Sequence, residues 1–453
     1  MRKAQKGTET GMIKTIKSDE FERGCIVQKT ITSTKITTAV AMIIANIIKR
    51  GDEALREYTE KFDGCKIENF ELSKSAMDKA VEVVDPEFIR IMEQAAENIK
   101  DFHLNQSQKG FNLPPKSGVI LGQKVTPIER VGIYVPGGSA SYPSSVLMNC
   151  IPAKIAGVSE IIIATPPSSD CSNSDDGVCC VDGIVCINGV DARVIAAAKI
   201  AGADRVFTIG GAQAIAALAF GTASIPRVDK ITGPGNSYVA EAKRQVFGIV
   251  GIDMIAGPSD VLVIADASAD PAFIAADMLS QCEHGPDSPA LLITNSKALA
   301  GKVSREITTQ LSDLPRKDIA RKAIKDHGLI IITKTIDEAF ELSNIIAPEH
   351  LEIILDEPFN YLDKIHNAGS VFLGKYTPEP LGDYYAGPNH TIPTSGTARF
   401  SSPLSVDDFT KKTSYTFYSE KALRAASADV IRFAEEEGLK AHALSVSKRF
   451  KNK

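Results

Sequence analysis

The chain has no apolar run of the ~18–20 residues that a bilayer-spanning helix needs, and no dense block of Lys and Arg. The first absence sets aside a membrane span. The second, with charges of both signs spread along the chain and a formal net charge of −5, sets aside nucleic acid as an expected partner, because phosphate binding draws on clustered cations. The opening MRKAQKGTETGMIKTIKSDE is polar and lacks the apolar core of a secretion signal, so a cytoplasmic location is expected unless a cleaved organelle-targeting segment precedes it. The G-x-G-x-x-G dinucleotide fingerprint is missing as well.

What is present is ordinary for a globular protein: 43% apolar and 24% charged residues. At 453 residues the chain exceeds what one core usually serves, so two or more domains are expected. Eight cysteines are scattered, at 25, 65, 150, 171, 179, 180, 186 and 282. Four fall in SSDCSNSDDGVCCVDGIVC, whose spacing matches no common zinc pattern, and this stretch reads as a surface loop carrying reduced thiols.

Helical patterns are expected at 37–62 and 85–105. From Val131 the texture changes to short β-branched runs (VGIYV, EIIIAT, RVFTI, DVLVIA, ALLIT, LIIIT, LEIIL, SVFLG) separated by Ala-rich helical patterns such as AIAALAF, YVAEAKRQV, PAFIAADMLSQ and IDEAFELSNI. Strands alternating with helices imply right-handed crossovers and parallel sheets, here two doubly wound α/β domains that meet near AGPSDV at 256–261. A polar helical tail follows from about Ser419. Glycine-rich turns close several strands: VPGGSA at 135–140, IGGAQA at 209–214 and TGPGNSY at 232–238. Such turns let a ligand approach backbone at the carboxyl ends of parallel strands, although each alone reads more readily as a plain tight strand-to-helix connection.

Seven histidines are few enough to weigh one by one. His103, His327 and His366 stand in polar helical contexts and are expected to face solvent. Gln281 and His284, three apart at the end of a helical pattern, share a face and can offer an amide oxygen and an imidazole to one metal; the alternative is a plain helix C-terminus. Glu349 and His350 in APEHLEI are both general bases, but a regular strand would point them to opposite faces, so joint action needs a turn. LGDYYAGPNHTIPTSG holds His390 and Asp383, the latter a hard anionic ligand or a turn-stabilising side chain. His442 lies on the tail.

Taken in order, VGIYVPGG, GGAQA, TGPGN, AGPS, Q-x-x-HGPDS, APEHLE and GDY-x-x-GPNH resemble the histidinol dehydrogenases over about residues 20–445. The resemblance implies two related, incomplete Rossmann-like domains plus small N- and C-terminal helical pieces. Carried onto this chain, these are a helical arm at 1–26, a first α/β domain at 27–133 and 261–404 with the catalytic and metal residues, a second, NAD-binding domain at 134–260, and a helical tail at 405–453. It implies zinc held by Gln281, His284, Asp383 and His442, the last supplied by the partner subunit's tail in an intertwined homodimer. Glu349 and His350 match the family's catalytic pair, and Tyr134, Gln213 and Asn236 its NAD-contacting positions. Ser259, His350, His390 and Glu437, together with the four metal ligands, match positions around the substrate L-histidinol.

Zinc with one amide, two neutral imidazoles and one carboxylate keeps a formal charge near +1, which suits it to orient a substrate that brings an amine and an imidazole. The implied activity is a four-electron oxidation of L-histidinol through L-histidinal to L-histidine, the last steps of histidine biosynthesis, with His350 taking the alcohol proton and Glu349 activating water. The segment at about 168–188 departs from the family pattern as an insertion. Three alternatives stand beside this reading: a relative acting on another small alcohol such as a sulfonated diol, a zinc hydrolase with Glu349 as base, and an inactive ligand-binding relative. Glu437 and His390 favour histidinol, the glycine turns disfavour a hydrolase, and the intact Glu–His pair disfavours the third.

Overall fold

All eight β-branched runs become parallel strands in the computed structural model of the chain, which describes residues 12–21, 33–137, 141–168, 178–181 and 183–450. They divide between two sheets. The five-stranded sheet has the order Gly251–Ile252, Lys230–Thr232, Arg130–Tyr134, Glu160–Thr165, Arg205–Thr208. The six-stranded sheet has the order Lys14–Lys17, Leu329–Ile332, Ala290–Thr294, Val261–Ala265, His350–Ile354, Ser370–Leu373. Counted along the chain within each sheet, and leaving aside the added edge strand Lys14–Lys17, both follow 3-2-1-4-5. The order reverses beside the first strand of each, which makes both sheets doubly wound and Rossmann-like.

Helices cover both faces of the six-stranded sheet, so its central strands Val261–Ala265 and Ala290–Thr294 are buried at every position rather than at alternate ones. Val261, Val263 and Ala265 enter one core with Ile274, Met278 and Val303, while Leu262 and Ile264 enter the opposite core with Phe340. Each fully buried aliphatic side chain of this kind contributes about 1.5–3 kcal/mol. A third core joins the five-stranded sheet to the N-terminal helices through Ile44, Ile47, Leu55, Phe207 and Leu218.

Residues 107–128 and 410–453 form a separate compact unit. In it, Thr410–Tyr418 pairs antiparallel with Val119–Pro127 over nine residues, and Phe111–Asn112 adds a third short strand. The helices Glu420–Glu436 and Lys440–Ser447 follow.

Several local expectations change. The helix expected at 37–62 is two, Thr34–Arg50 and Asp52–Asp63, broken at Gly51, whose φ of +55° and ψ of −128° suit glycine alone. The N-terminal arm, expected to be helical, contributes the strand Lys14–Lys17, whose parallel pairing with Leu329–Ile332 is a long-range bond that local pattern does not reveal. The first part of the tail is likewise the strand Thr410–Tyr418, rich in Thr and aromatic residues that favour strands. The Cys-bearing segment is a hairpin, Val178–Val181 with Ile184–Ile187, continued by Val190–Asp191; Cys186 is buried, while Cys171 and Cys25 lie outside the described residues. No helix among the described residues is long and apolar enough to cross a membrane.

Candidate active site

A cleft of about 470 Å³ runs between the carboxyl ends of the five-stranded sheet and the amino ends of the six-stranded sheet. On one side it is lined by Pro136 and Gly137 and by the turn Gly233–Asn236, which follow the two strands on either side of the order reversal. That is where open parallel sheets take ligands. On the other side it is lined by Ser259, His284, Glu349, His350, Asp383 and His390.

The Gly233–Asn236 turn is held from beneath. The Asp253 carboxylate accepts from Gly233 N–H at 2.8 Å, Lys243 Nζ donates to Gly233 O at 2.9 Å, and Lys243 and Asp253 form an ion pair with both side chains almost wholly buried. Asn236 caps the following helix, its side-chain oxygen accepting from Tyr238 and Val239 N–H. Tyr134 and Gln213 lie behind the turns as buried side chains: Gly211 N–H donates to the Tyr134 hydroxyl at 3.0 Å, and Gln213 Nε2 has no partner. Burial pushes the Tyr134 hydroxyl up to about 12, so it stays neutral.

Glu349 and His350 do sit at a turn. The helix Ile336–Ile346 ends at Ala347 in the left-handed region (φ +55°), Pro348 follows, and the strand begins only at His350. Both side chains are buried and line the cleft, with Glu349 Oε2 3.9 Å from His350 Nδ1. His350 Nδ1 lies 2.9 Å from the Asp260 carbonyl oxygen, which can only accept, so the proton sits on Nδ1 and the Nε2 lone pair is left open. Burial lowers the His350 pKa, favouring this neutral form, and burial with the nearby Asp260 charge raises Glu349 well above the usual carboxyl range.

His284, Glu379 and Asp383 bring donor atoms within 4.8 Å of one another, as a metal site requires. His284 follows the helix Pro271–Cys282, and its N–H still bonds to Gln281 O, so the two keep helical spacing. Gln281 is fully buried, and among the described residues both its amide atoms are unpartnered, which in a native fold calls for a further partner. Glu379 and Asp383 stand one turn apart on the short helix Glu379–Tyr384. The cluster is also reached from a second cavity of about 580 Å³, lined by Ser280, Glu379, Arg316 and Tyr384 among others. Burial, then the Asp383 charge, pushes Glu379 up to about 9. His390 Nδ1 donates to Asp383 O at 3.0 Å, while its Nε2 lies 3.2 Å from Ser145 Oγ.

His103 does not face solvent. It continues the buried face of the helix Pro86–Leu104 one turn after Ile99, donates from Nδ1 to Ile99 O at 2.8 Å, and meets Asn389 Nδ2 at 3.3 Å. It thereby braces the loop that carries His390. Glu437 and His442 belong to the second compact unit, where they are exposed, at the end of one helix and within the next. Sequence reasoning missed Glu379 and Asp260. The spacing of Glu379 and Asp383 was a usable signal, hidden by Pro380 and Gly382 in so short a helix; Asp260 gains its surroundings only through strand pairing.

The family model for histidinol dehydrogenase matches residues 27–450. A histidinol dehydrogenase of Clostridium acetobutylicum is 51% identical over 417 residues, covering 92% of this chain and 93% of that one. One from Bacillus cereus is 52% identical over 411 residues, covering 91% and 92%. Among solved structures, the crystal structure of histidinol dehydrogenase from Elizabethkingia anophelis aligns with a TM-score of 0.88 at 37% identity, covering 97% of this chain and 98% of that one. On these matches, the chain belongs to the histidinol dehydrogenase family.

Proposed function

We propose that the chain oxidises L-histidinol through L-histidinal to L-histidine with two NAD, on a zinc ion held by Gln281, His284 and Asp383, with His442 of a second copy as fourth ligand. The observation that carries this is one cleft lined at once by two of the glycine turns, the Glu349–His350 pair and His284 and Asp383 of the metal-donor cluster. The unpartnered, fully buried Gln281 amide supports the metal, because nothing else beside it uses its oxygen. When bound, zinc supplies orientation of the substrate's nitrogen and oxygen atoms and NAD supplies the hydride acceptor.

The chain's own residues manage protons and water. His350, neutral and with Nε2 open to the cleft, accepts the alcohol proton as the C–H bond gives up its hydride, leaving the aldehyde. Glu349, beside it, takes a proton from the water that adds to the aldehyde carbon; the hydrate then loses a second hydride and becomes the carboxylic acid. Ser259 and His390 line the same cleft and flank the substrate, and Glu437, from the tail of a second copy, selects for its cationic part. The metal-donor cluster opens to two cavities, so substrate and a ligand from a second copy can reach it together. In the second unit the strand Thr410–Tyr418 is exposed along nearly its whole length and Phe417 and Phe433 are bare, which supports a homodimer. The test is NADH release from L-histidinol before and after chelation. Two NADH per histidinol, lost on chelation and restored by zinc, is the expected result; turnover of another alcohol alone would discard the substrate and keep the fold.

A further inference from the structure

Asp260, at the end of the AGPSD turn, bonds to both members of the Glu349–His350 pair through three different groups. Its carbonyl oxygen accepts from His350 Nδ1 at 2.9 Å and from His350 N–H at 3.2 Å. Its N–H donates to Glu349 Oε2 at 2.9 Å, and its carboxylate accepts from Glu349 N–H at 2.9 Å, so the two acids hold each other reciprocally, main chain to side chain. Both side chains are out of water: Glu349 is 4% and Asp260 8% exposed. The parallel register that places Val261 beside His350 keeps this arrangement from sliding.

We propose that Asp260 is the positioning residue of the catalytic pair, its carbonyl fixing the tautomer of His350 and its carboxylate deciding when Glu349 ionises. This rests on the activity proposed above. Two carboxylates so close in a dry pocket do not readily ionise together. Each side chain accepts two hydrogen bonds, Asp260 from the main chain of Glu349 and Ser395, and Glu349 from Asp260 N–H and the Ser259 side chain, while Glu349 also feels the Asp383 charge. The charged and titratable groups around Glu349 are thus Asp260 before the Val261–Ala265 strand, Asp383 on the short helix and neutral His350 beside it. Burial raises Asp260 to about 6, and burial with the Asp260 charge raises Glu349 well above the usual carboxyl range. Water activation needs Glu349 ionised, and the Asp260 charge opposes that ionisation.

The experiment compares wild type with Asp260→Asn, which keeps an acceptor for Glu349 N–H and removes only the charge. In the zinc-loaded protein the acid limb of kcat for NADH release is expected to move down by about one pH unit or more. A folded Asp260→Asn protein with an unmoved acid limb would show a merely structural role and overturn the proposal. A readout independent of turnover is the infrared carbonyl band of protonated, buried carboxyls. Wild type is expected to show a band that Glu349→Gln removes and that Asp260→Asn makes titrate at lower pH. Absence of such a band in wild type overturns the proposal even if Asp260→Asn fails to fold. If wild type shows the band but yields no NADH from L-histidinol, the activity is wrong while the Asp260 assignment stands.

Discussion

Glu352 shows what burial costs a single side chain. It lies on the His350–Ile354 strand, is 1% exposed, and accepts from Glu379 N–H at 2.7 Å while the Asp277 carboxyl lies nearby. Burial, then the Asp277 charge, raises it well above the usual carboxyl range. The folded chain therefore keeps a proton there that the unfolded chain releases above its ordinary carboxyl pKa, and the stability this contributes at low pH is lost as pH rises through the folded value. Glu352→Gln keeps the acceptor and cannot ionise. Its melting temperature relative to wild type is expected to be higher at pH 8 than at pH 5, measured in matched scans; a constant difference would mean that Glu352 carries no such proton. Sequence could mark Glu349, His350 and Asp383 as chemically able residues because their types and neighbours were informative. Glu352 and Asp260 looked like ordinary carboxylates, since burial is a property of the surroundings rather than of the residue.

At the scale of elements, the glycine turns matter through what anchors them. Lys243 and Asp253 neutralise each other beneath the Gly233–Asn236 turn and bond to the carbonyl and the N–H of its first residue. Lys243→Ala would leave Asp253 buried and unpaired, at an expected cost of about 3–5 kcal/mol in chemical denaturation. The loop carrying His390 is fastened similarly: Asn98 Nδ2 donates to Tyr385 O at 2.8 Å and Asn389 Nδ2 to Met148 O at 2.6 Å. Gly387 sits there at φ +113°, and a Cβ on it would lie 2.6 Å from Asn98 O. Gly387→Ala is expected to lose about 1–3 kcal/mol of stability from backbone strain, with kcat falling as His390 shifts; unchanged turnover would show that the loop tolerates that displacement. The parallel strands were readable because a strand buried on both faces is written as a continuous β-branched run. The edge strand Lys14–Lys17 and the strand Thr410–Tyr418 carry no such run, having a partner on one side or an exposed face.

For the whole molecule, the consequence of the proposed dimer is complementation. If His442 serves the site of a second copy, each metal site needs residues from two chains. His284→Ala and His442→Ala proteins, each inactive and poor in zinc alone, are expected on unfolding and refolding together to regain about a quarter of wild-type activity, because half the dimers are mixed and one site in each mixed dimer is intact. No recovery, with mixed dimers confirmed by mass, would place His442 in its own chain's site or outside any site. Composition and pattern by themselves determined the fold class, the strands and the order of the motifs, because periodicity and β-branched runs are local and repeated. They also determined the candidate chemistry, because few histidines and acids stand in such unusual company. Only the tertiary structure decided that the carboxyl edge of one sheet faces the amino edge of the other, that Glu379 joins His284 and Asp383, and that Asp260 holds Glu349 and His350. Those depend on strand order and register between residues about 90 positions apart, and such pairings leave no local trace because their free energy comes from burial and hydrogen bonds that exist only once the chain has closed on itself.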